Sequence, residues 1–378
     1  MKGIQKTLCC TIASMAAIFT GCHSNNFEAN HENISYEGRV DLSNANIVRF
    51  SFPGVTIRAN FQGKAITARF RDFANAKEGM HNTFYCIIDG GEPQKIVLNE
   101  TQYDYLLAKN LDPDTIHSVE LFKLTESLVG EVGFCGFYIE GENSKLVEPD
   151  TLPSLKMEFV GNSISCGYGN ELSSVTPKSG FSPLNENNYY AWGAVAARAL
   201  NARYVCTAYS GKGVCRNYEG DCSNTIPQFY GHTLANNHEV AWNYSDYVPD
   251  ILVLNIGTND FGAETTTNVR VDSVKFIAEY NAFLTRVRSY YPDAKIICSV
   301  GPMTNDENLD NAMQLTRYSE YVLLAVKNAG GEENNVFYFE TAPQTPPFGE
   351  DYHPTKETHQ RMANELVDFI LEKNLIKK

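Results

Sequence analysis

The sequence has 378 residues, of which 43% are hydrophobic and 20% are charged, so the chain is long enough for two globular domains. Its formal net charge of −14 argues against nucleic acid as a partner, because phosphate binding needs a basic surface. A neutral sugar polymer remains compatible with that charge.

The first 22 residues have the pattern of a targeting segment. Two lysines precede an apolar run over residues 8–19, which is too short to span a bilayer as a helix. The run ends in "FTGC", which resembles a bacterial lipobox in which Cys22 is lipidated and becomes the first mature residue. We expect a lipoprotein signal peptide over 1–22 and a flexible tether over 23–33. This predicts lipid anchoring in the bacterial cell envelope, periplasmic or at the cell surface, and plain secretion is the alternative.

The region from residue 34 to residue 145 is predicted to be an all-β, jelly-roll-like sandwich. Short runs rich in β-branched and aromatic residues, such as "GVTIRANF" and "VGFCGFYIEG", alternate apolar and polar positions and are separated by turn signals. The polar stretch over 141–153 carries two prolines and is interpreted as the linker to a second domain.

From residue 154 to residue 378 the pattern changes to alternating strands and helices. We predict strands over 156–161, 203–209, 251–257, 294–300 and 335–340. Helices are predicted over 189–200, 274–291, 310–329 and 356–372. This alternation is typical of an α/β fold in which a parallel sheet has helices on both faces.

Cysteine usage leaves the redox state open. Three of the ten cysteines lie in the first 22 residues, and an odd number of seven remains. Their spacing matches no zinc motif, so we expect no metal site. Cys215 and Cys222 are close enough in sequence to bridge a loop.

Polar motifs follow the predicted strands, where sites form in a parallel sheet. Ser163 follows the first strand in "GNS", Gly211 follows the second in "SGKG", and Asn259 follows the third in "GTND". Asp351 and His353 stand just before the last helix in "EDYHP". All five are therefore predicted to lie at one rim of the sheet.

These residue types fit nucleophilic ester hydrolysis. Ser163 is the candidate nucleophile, His353 the base that takes its proton, and Asp351 the acid that orients the imidazole. The backbone amides of Ser163 and Gly211 and the side-chain amide of Asn259 are the candidate oxyanion donors. The motif is not the G-x-S-x-G elbow of α/β-hydrolases, which indicates a different hydrolase layout.

The blocks "GNSIS", "SGKG", "GTND" and "DYHP" resemble, in order and spacing, those of the SGNH (GDSL-like) hydrolases. Longer stretches, such as "EFVGNSISCGYGN" and "PDILVLNIGTNDF", are similar to carbohydrate esterase family 2, which includes acetyl xylan esterases. The resemblance implies a flavodoxin-like three-layer hydrolase domain behind the β-sandwich. It also implies deacetylation of plant-type polysaccharides such as xylan or glucomannan, without a metal or organic cofactor, and the site roles assigned above. The family usually has Asp where this chain has Asn162.

Each motif also has a simpler interpretation. Ser163 can be a turn residue, His353 a helix-start histidine and Asp351 an N-terminal cap. The loop over 216–230 can wall a substrate pocket with Tyr218, Ile226 and Tyr230, or it can be a packed surface loop. Trp242 can stack on a sugar ring or pack under the third strand.

Two functions remain as hypotheses. The first is a lipid-anchored carbohydrate O-acetyl esterase whose partner is an acetylated polysaccharide or oligosaccharide, with membrane contact only through the anchor. The second is a glycan-binding lipoprotein with a degenerate hydrolase domain, which Asn162 favours. Within the enzyme class, a lipase or thioesterase is a further alternative.

Overall fold

The computed structural model describes residues 25–74, 79–177, 180–307 and 312–376. The predicted signal peptide and the predicted lipidation site Cys22 lie outside the described residues. Within the described ranges, no helix combines the length and the apolar character needed to cross a membrane.

Short strands form two antiparallel sheets in the N-terminal domain. The strands are β1 (Asn26–Glu28), β2 (Ile34–Glu37), β3 (Val48–Phe50), β4 (Thr56–Gln62), β5 (Ala65–Ala74), β6 (Thr83–Ile88), β7 (Gln94–Val97), β8 (Asp104–Lys109), β9 (His117–Lys123), β10 (Gly130–Glu140) and β11 (Lys145–Val147). One sheet has the order β1-β10-β5-β8 with β3 paired to β10, and the other has the order β11-β4-β9-β6-β7 with β2 paired to β4. The prediction of an all-β N-terminal domain is confirmed.

Aromatic side chains from both sheets fill the space between them. Phe70 on β5 lies 5.0 Å from Phe84 on β6 and 5.4 Å from Phe134 on β10, measured between ring centroids. All three are at most 1% exposed, whereas Arg69 and Arg71 beside Phe70 point to solvent. Burying each phenylalanine contributes about 1.5–3 kcal/mol to folding, and the alternation explains why the strand pattern is readable from the sequence.

The edges of this domain extend further than the sequence pattern indicates. Asn26–Glu28, which we predicted to belong to a flexible tether, pairs with β10 from Tyr138 to Gly136. Lys145–Val147, inside the predicted linker, pairs with Asn60–Gln62 of β4. Three-residue edge strands carry little pattern of their own, because their hydrogen bonds are supplied by partners distant in sequence.

The second domain is a parallel sheet between two layers of helices. Its strands are β12 (Lys156–Gly161), β13 (Arg203–Ala208), β14 (Ile251–Asn255), β15 (Lys295–Val300) and β16 (Val336–Glu340). Its α-helices are α1 (Ser163–Cys166), α2 (Trp192–Ala199), α3 (Ile226–Phe229), α4 (Thr258–Thr267), α5 (Ser273–Tyr290), α6 (Gln314–Asn328) and α7 (Lys356–Glu372). The strand order β13-β12-β14-β15-β16 is the flavodoxin-like order, with its switch point between β12 and β14. The predicted fold class is confirmed.

Both sheet faces are covered as the helical patterns predict. Residues of α2 and α7, such as Trp192 and Leu366, share one buried cluster with Phe159 of β12. Residues of α5 and α6, such as Tyr280 and Tyr318, share another cluster with the opposite face of the sheet. Helix α4 was not predicted, because threonines occupy its last turn and have low helix propensity.

The two domains are joined by buried charged contacts. Arg39, which follows β2, donates from Nη2 to the carboxylate of Glu158 on β12 at 3.0 Å, and both side chains are almost fully buried. Glu37 of β2 accepts from the guanidinium of Arg203 on β13 at 2.6 Å. These contacts join β2 and the residues after it to strands β12 and β13 of the hydrolase domain.

Candidate active site

Ser163 stands at the switch point of the sheet, directly after β12. It is the first residue of α1, and Asn162 caps that helix by accepting from the amide of Ile164 at 3.3 Å. The serine is 7% exposed, and the cap holds it at a helix start. The local sequence therefore puts a hydroxyl at the rim where the crevice of an open α/β sheet forms.

A close backbone contact holds the loop after Ser163 against the loop that carries His353. Gly169 accepts at its carbonyl from the amide of Glu350 at 3.1 Å. Gly169 has a φ of +61°, and a Cβ atom there would lie 2.8 Å from the Glu350 nitrogen. Glycine is required at this position because any side chain would push the nucleophile and histidine loops apart.

The predicted oxyanion donors come from the ends of the next two strands in sequence. Gly211 follows β13 with a φ of +77°, and its carbonyl accepts from the amide of Tyr218 at 2.9 Å. Asn259 is the second residue of α4, and its side-chain amide donates to the carbonyl of Lys212 at 2.9 Å. That bond uses one of the two amide hydrogens, so the other is available to an oxyanion.

Asp260, beside Asn259, braces the loop that follows Gly211. Its buried carboxylate accepts from the amides of Val214, Cys215 and Arg216 at 2.7, 2.8 and 3.0 Å. Burial raises the pKa of this carboxyl, and the three amide hydrogen bonds oppose that shift.

His353 is oriented by the backbone. Its Nδ1 lies 3.0 Å from the carbonyl oxygen of Glu350, so Nδ1 carries the hydrogen and Nε2 is left to accept a proton. The ring stacks on Tyr168 with a centroid separation of 4.1 Å. Burial lowers the pKa of His353 to about 4, against the opposing effect of the Glu350 hydrogen bond. The imidazole is therefore neutral near pH 7, as a general base must be.

Asp351 does not take the role predicted from the sequence. Its carboxylate accepts from the hydroxyl of Tyr168 at 2.7 Å and from the amide of Gly180 at 2.8 Å, whereas the acceptor at His353 Nδ1 is the Glu350 carbonyl. Asp351 and Tyr352 have φ values of +48° and +63°, so the chain makes a left-handed turn that carries the Asp351 carboxylate to other partners. The partner that orients His353 is therefore a backbone carbonyl and not the Asp351 carboxylate.

One cavity of about 670 Å³ collects the predicted reactive groups. Its lining includes Ser163, Gly211, Asn259, Asp351 and His353, together with the partly exposed rings of Tyr218 and Tyr352. The side walls include Leu128 from the β-sandwich, Tyr168, Ser210, Met303 and Thr304.

Three of the four predicted substrate-binding residues lie elsewhere. Ile226 and Tyr230 are fully buried, and the Tyr230 hydroxyl donates to Glu158 at 3.0 Å. Trp242 lies with its ring 5.0 Å from the guanidinium carbon of Arg39. Ile226 and Tyr230 pack in the core because α3 turns its apolar face inward, and Trp242 lies beside the interdomain residue Arg39. Of the four residues, only Tyr218 lines the cavity.

The sequence reasoning missed two residues that hold the histidine. Tyr168 stacks on the ring, and Glu350 supplies the carbonyl while its buried carboxylate accepts from Ser182 and Asn185. Glu350 could have been found from its spacing, because a residue three positions before His353 can form a turn with it. The His353 amide indeed donates to the Glu350 carbonyl at 2.9 Å. The spacing of Cys215 and Cys222 left a bridge between them open, and the structure does not form it: the seven cysteines in the described ranges are free thiols.

Two family profiles match this architecture. "Carbohydrate esterase 2 N-terminal" matches residues 36–149, and "GDSL-like Lipase/Acylhydrolase family" matches residues 159–361. Among curated proteins, cellulase/esterase CelE of Acetivibrio thermocellus is 36% identical over 343 residues, covering 90% of this chain but 39% of that protein. An acetylxylan esterase / glucomannan deacetylase of Cellvibrio japonicus is 28% identical over 335 residues, covering 86% of this chain and 85% of that protein.

Solved structures agree with the profiles. A family two carbohydrate esterase from Clostridium thermocellum in complex with cellohexaose superposes with a TM-score of 0.79 at 35% identity, covering 91% of this chain and all of that chain (100%). An active-site mutant of such an esterase gives a TM-score of 0.80 at 34% identity, covering 90% of this chain and 98% of that chain. The chain therefore belongs to carbohydrate esterase family 2.

Proposed function

We propose that the protein removes acetyl groups from plant-type polysaccharides, acetylated xylan or glucomannan, by a serine mechanism. The observation that carries this proposal is the one cavity lined by Ser163, the oxyanion donors and a neutral His353 oriented through Nδ1. The relatives named acetylxylan esterase / glucomannan deacetylase support the choice of ester and polymer.

The geometry supports a two-step reaction. His353 Nε2 takes the proton of Ser163 while the serine oxygen attacks the acetyl carbonyl carbon. The amides of Ser163 and Gly211 and the free amide hydrogen of Asn259 stabilise the oxyanion. The sugar hydroxyl leaves with the proton from His353, and water, activated by the same base, then releases acetate and restores the serine hydroxyl.

The rim of the cavity supports a sugar as the leaving group. Tyr218 and Tyr352 are 41% and 61% exposed, and both line the cavity. Exposed aromatic rings offer flat apolar surfaces to the faces of sugar rings. The net charge of −14 raises no barrier to a neutral polymer.

The decisive experiment measures acetate release from acetylated xylan and acetylated glucomannan by protein from residue 23 onward, beside a Ser163→Ala control. We expect release by the parent protein and none by the control, and a series of aryl esters of increasing acyl length to favour acetate. Turnover that rises with acyl length would indicate a lipase or thioesterase. A parent protein that releases no acetate from either polymer or from an aryl acetate would overturn the esterase proposal and favour glycan binding.

We also propose that Cys22 carries a lipid that anchors the protein in the cell envelope. The motif "FTGC" after a short apolar run supports this proposal. Replacing Cys22 with serine is expected to move the protein from the membrane fraction to the aqueous fraction, and an unchanged distribution would contradict it.

A further inference from the structure

A carboxylate from the β-sandwich hydrogen-bonds to Ser210, the residue that precedes Gly211. Glu126, in the β9–β10 loop, accepts from the amide of Ser210 at 2.7 Å with one oxygen and from the Ser210 hydroxyl with the other. Glu126 is fully buried. Both bonds end on one residue, so Ser210 is held in one orientation by the neighbouring domain.

Glu126 is itself held by a second buried carboxyl group. Its backbone amide donates to a carboxyl oxygen of Glu186 at 3.0 Å, and carboxyl oxygens of the two residues lie within 4.8 Å of each other. Two carboxyl groups this close in a buried site are not both ionised, so one of them holds a proton. Burial and the Glu126 charge raise the pKa of Glu186 well above its ordinary range, which makes Glu186 the protonated partner.

The remaining charges at this cluster are accounted for. The buried ammonium of Lys123 donates to the carbonyl oxygens of Ser51 and Thr125 and is attracted to both carboxyl groups. The Cys166 sulfur lies within 4.8 Å of carboxylate oxygens of Glu126 and Glu186, and burial keeps the thiol neutral by raising its pKa. Asp72 is a further charged group that acts on Lys123.

The Glu126 contacts act on the side of Gly211 that the other loop contacts do not reach. A Cβ atom at Gly211 would meet nothing within 4 Å, so no side-chain packing supports this position, and the bonds from Tyr218 and Asp260 hold the chain from the Gly211 carbonyl onward. The amide belongs to the peptide group that joins Ser210 to Gly211. Fixing Ser210 at its amide and at its hydroxyl leaves few rotations by which the Gly211 amide can leave the oxyanion position.

We propose that Glu126 is a positioning residue of the oxyanion hole, acting through Ser210 on the Gly211 amide, with Glu186 holding Glu126 in place. The inference rests on the proposed esterase function. It makes the β-sandwich part of the active site, to which it also contributes Leu128 on the cavity wall. The loop residues Thr125, Glu126 and Ser127 are fully buried, as expected for a segment inserted between domains.

The test uses Glu126→Ala, Glu126→Gln and Ser210→Ala, with Glu37→Gln as the matched control. Glu37 is also a buried sandwich carboxylate bonded to the hydrolase domain, but its partner Arg203 begins β13, at the end of the sheet opposite the site. For each protein, kcat and KM on 4-nitrophenyl acetate, the affinity for methylboronic acid, and Tm are measured. The boronate reports the oxyanion hole because it forms a tetrahedral adduct with the serine.

We expect Glu126→Ala to lower kcat by about 100-fold with KM within about threefold, since a misplaced oxyanion donor costs about that much. The affinity for the boronate should fall with kcat. Glu126→Gln should recover part of the loss, because its amide oxygen still accepts from the Ser210 amide, and Ser210→Ala should lose less than Glu126→Ala. Glu37→Gln should lower Tm while kcat stays within about twofold.

Each outcome decides. An active parent protein whose kcat is unchanged in Glu126→Ala would overturn the inference, as would equal losses of kcat in Glu126→Ala and Glu37→Gln. If Glu126→Ala does not fold, the milder Glu126→Gln and Ser210→Ala variants take its place. The inference then requires that they lower kcat and boronate affinity while KM changes little. An inactive parent protein would instead contradict the proposed function itself.

Discussion

The imidazole Nδ1 of His353 lies 3.0 Å from the carbonyl oxygen of Glu350, three residues earlier in the chain. A backbone carbonyl can orient the ring and select its tautomer as a carboxylate does, but it brings no full charge to stabilise the imidazolium. The base of this esterase family member is therefore held by the fold of its own loop.

The first prediction concerns Asp351. Because its carboxylate contacts Tyr168 and Gly180 and not Nδ1, Asp351→Asn should lower kcat by less than about tenfold, whereas a true triad aspartate costs about 10⁴-fold. His353→Ala should abolish measurable turnover in the same assay of acetate release. A loss in Asp351→Asn as large as that in His353→Ala would restore the triad interpretation.

The second prediction concerns pH. Burial lowers the pKa of His353 to about 4, and the base is inactive when protonated, so kcat/KM should fall as pH falls through about 4 and stay level from pH 6 to pH 7. Tyr168→Ala removes the ring that covers the imidazole, and the pH at which kcat/KM falls should then move towards 6.5.

The folded state must be monitored in that titration. Half-buried His353 and buried His359 have lowered pKa values, so the unfolded chain binds protons before the folded chain does, and stability falls as pH drops below about 6.5. Circular dichroism at each pH separates unfolding from loss of the base. If kcat/KM of the unsubstituted protein falls near pH 6.5 while the protein is still folded, the prediction is wrong.

The third prediction concerns Asn162, where the family usually has Asp. Asn162 already caps α1 through Oδ1, while its Nδ2 has no hydrogen-bond partner among the described residues. Asn162→Asp keeps the cap and should hold kcat within about fivefold, whereas Asn162→Ala should lose about 1 kcal/mol of unfolding free energy. Urea unfolding and aryl acetate turnover measure both. A loss of turnover above about 100-fold in Asn162→Asp would show that the amide itself is needed.

The fourth prediction concerns the buried ion pair between the domains. Arg39→Ala leaves Glu158 buried without a counter-charge and should lower the unfolding free energy by about 3–5 kcal/mol. The control is Arg69→Ala, which removes an exposed pair with Asp104 and should cost at most about 1 kcal/mol. Urea unfolding followed by fluorescence compares them, and equal losses would contradict the burial argument.

The sequence alone determined the order of the domains, the parallel sheet and the rim to which Ser163, Gly211, Asn259 and His353 belong. These features are readable because alternation in strands, spacing in helices and glycine in turns act over a few residues. The direction in which α3 buries Ile226 and Tyr230 was not readable, since a short helix between loops presents no clear face.

Only the tertiary structure decided what each side chain of the site contacts. Asp351 stands two residues before His353, yet the left-handed turn sends its carboxylate to Tyr168, from a different loop. Glu126 reaches Ser210 across 84 residues and a domain boundary. Such contacts depend on how separately folded segments pack, and packing is decided by volumes and hydrogen-bond directions that no local run of residues encodes.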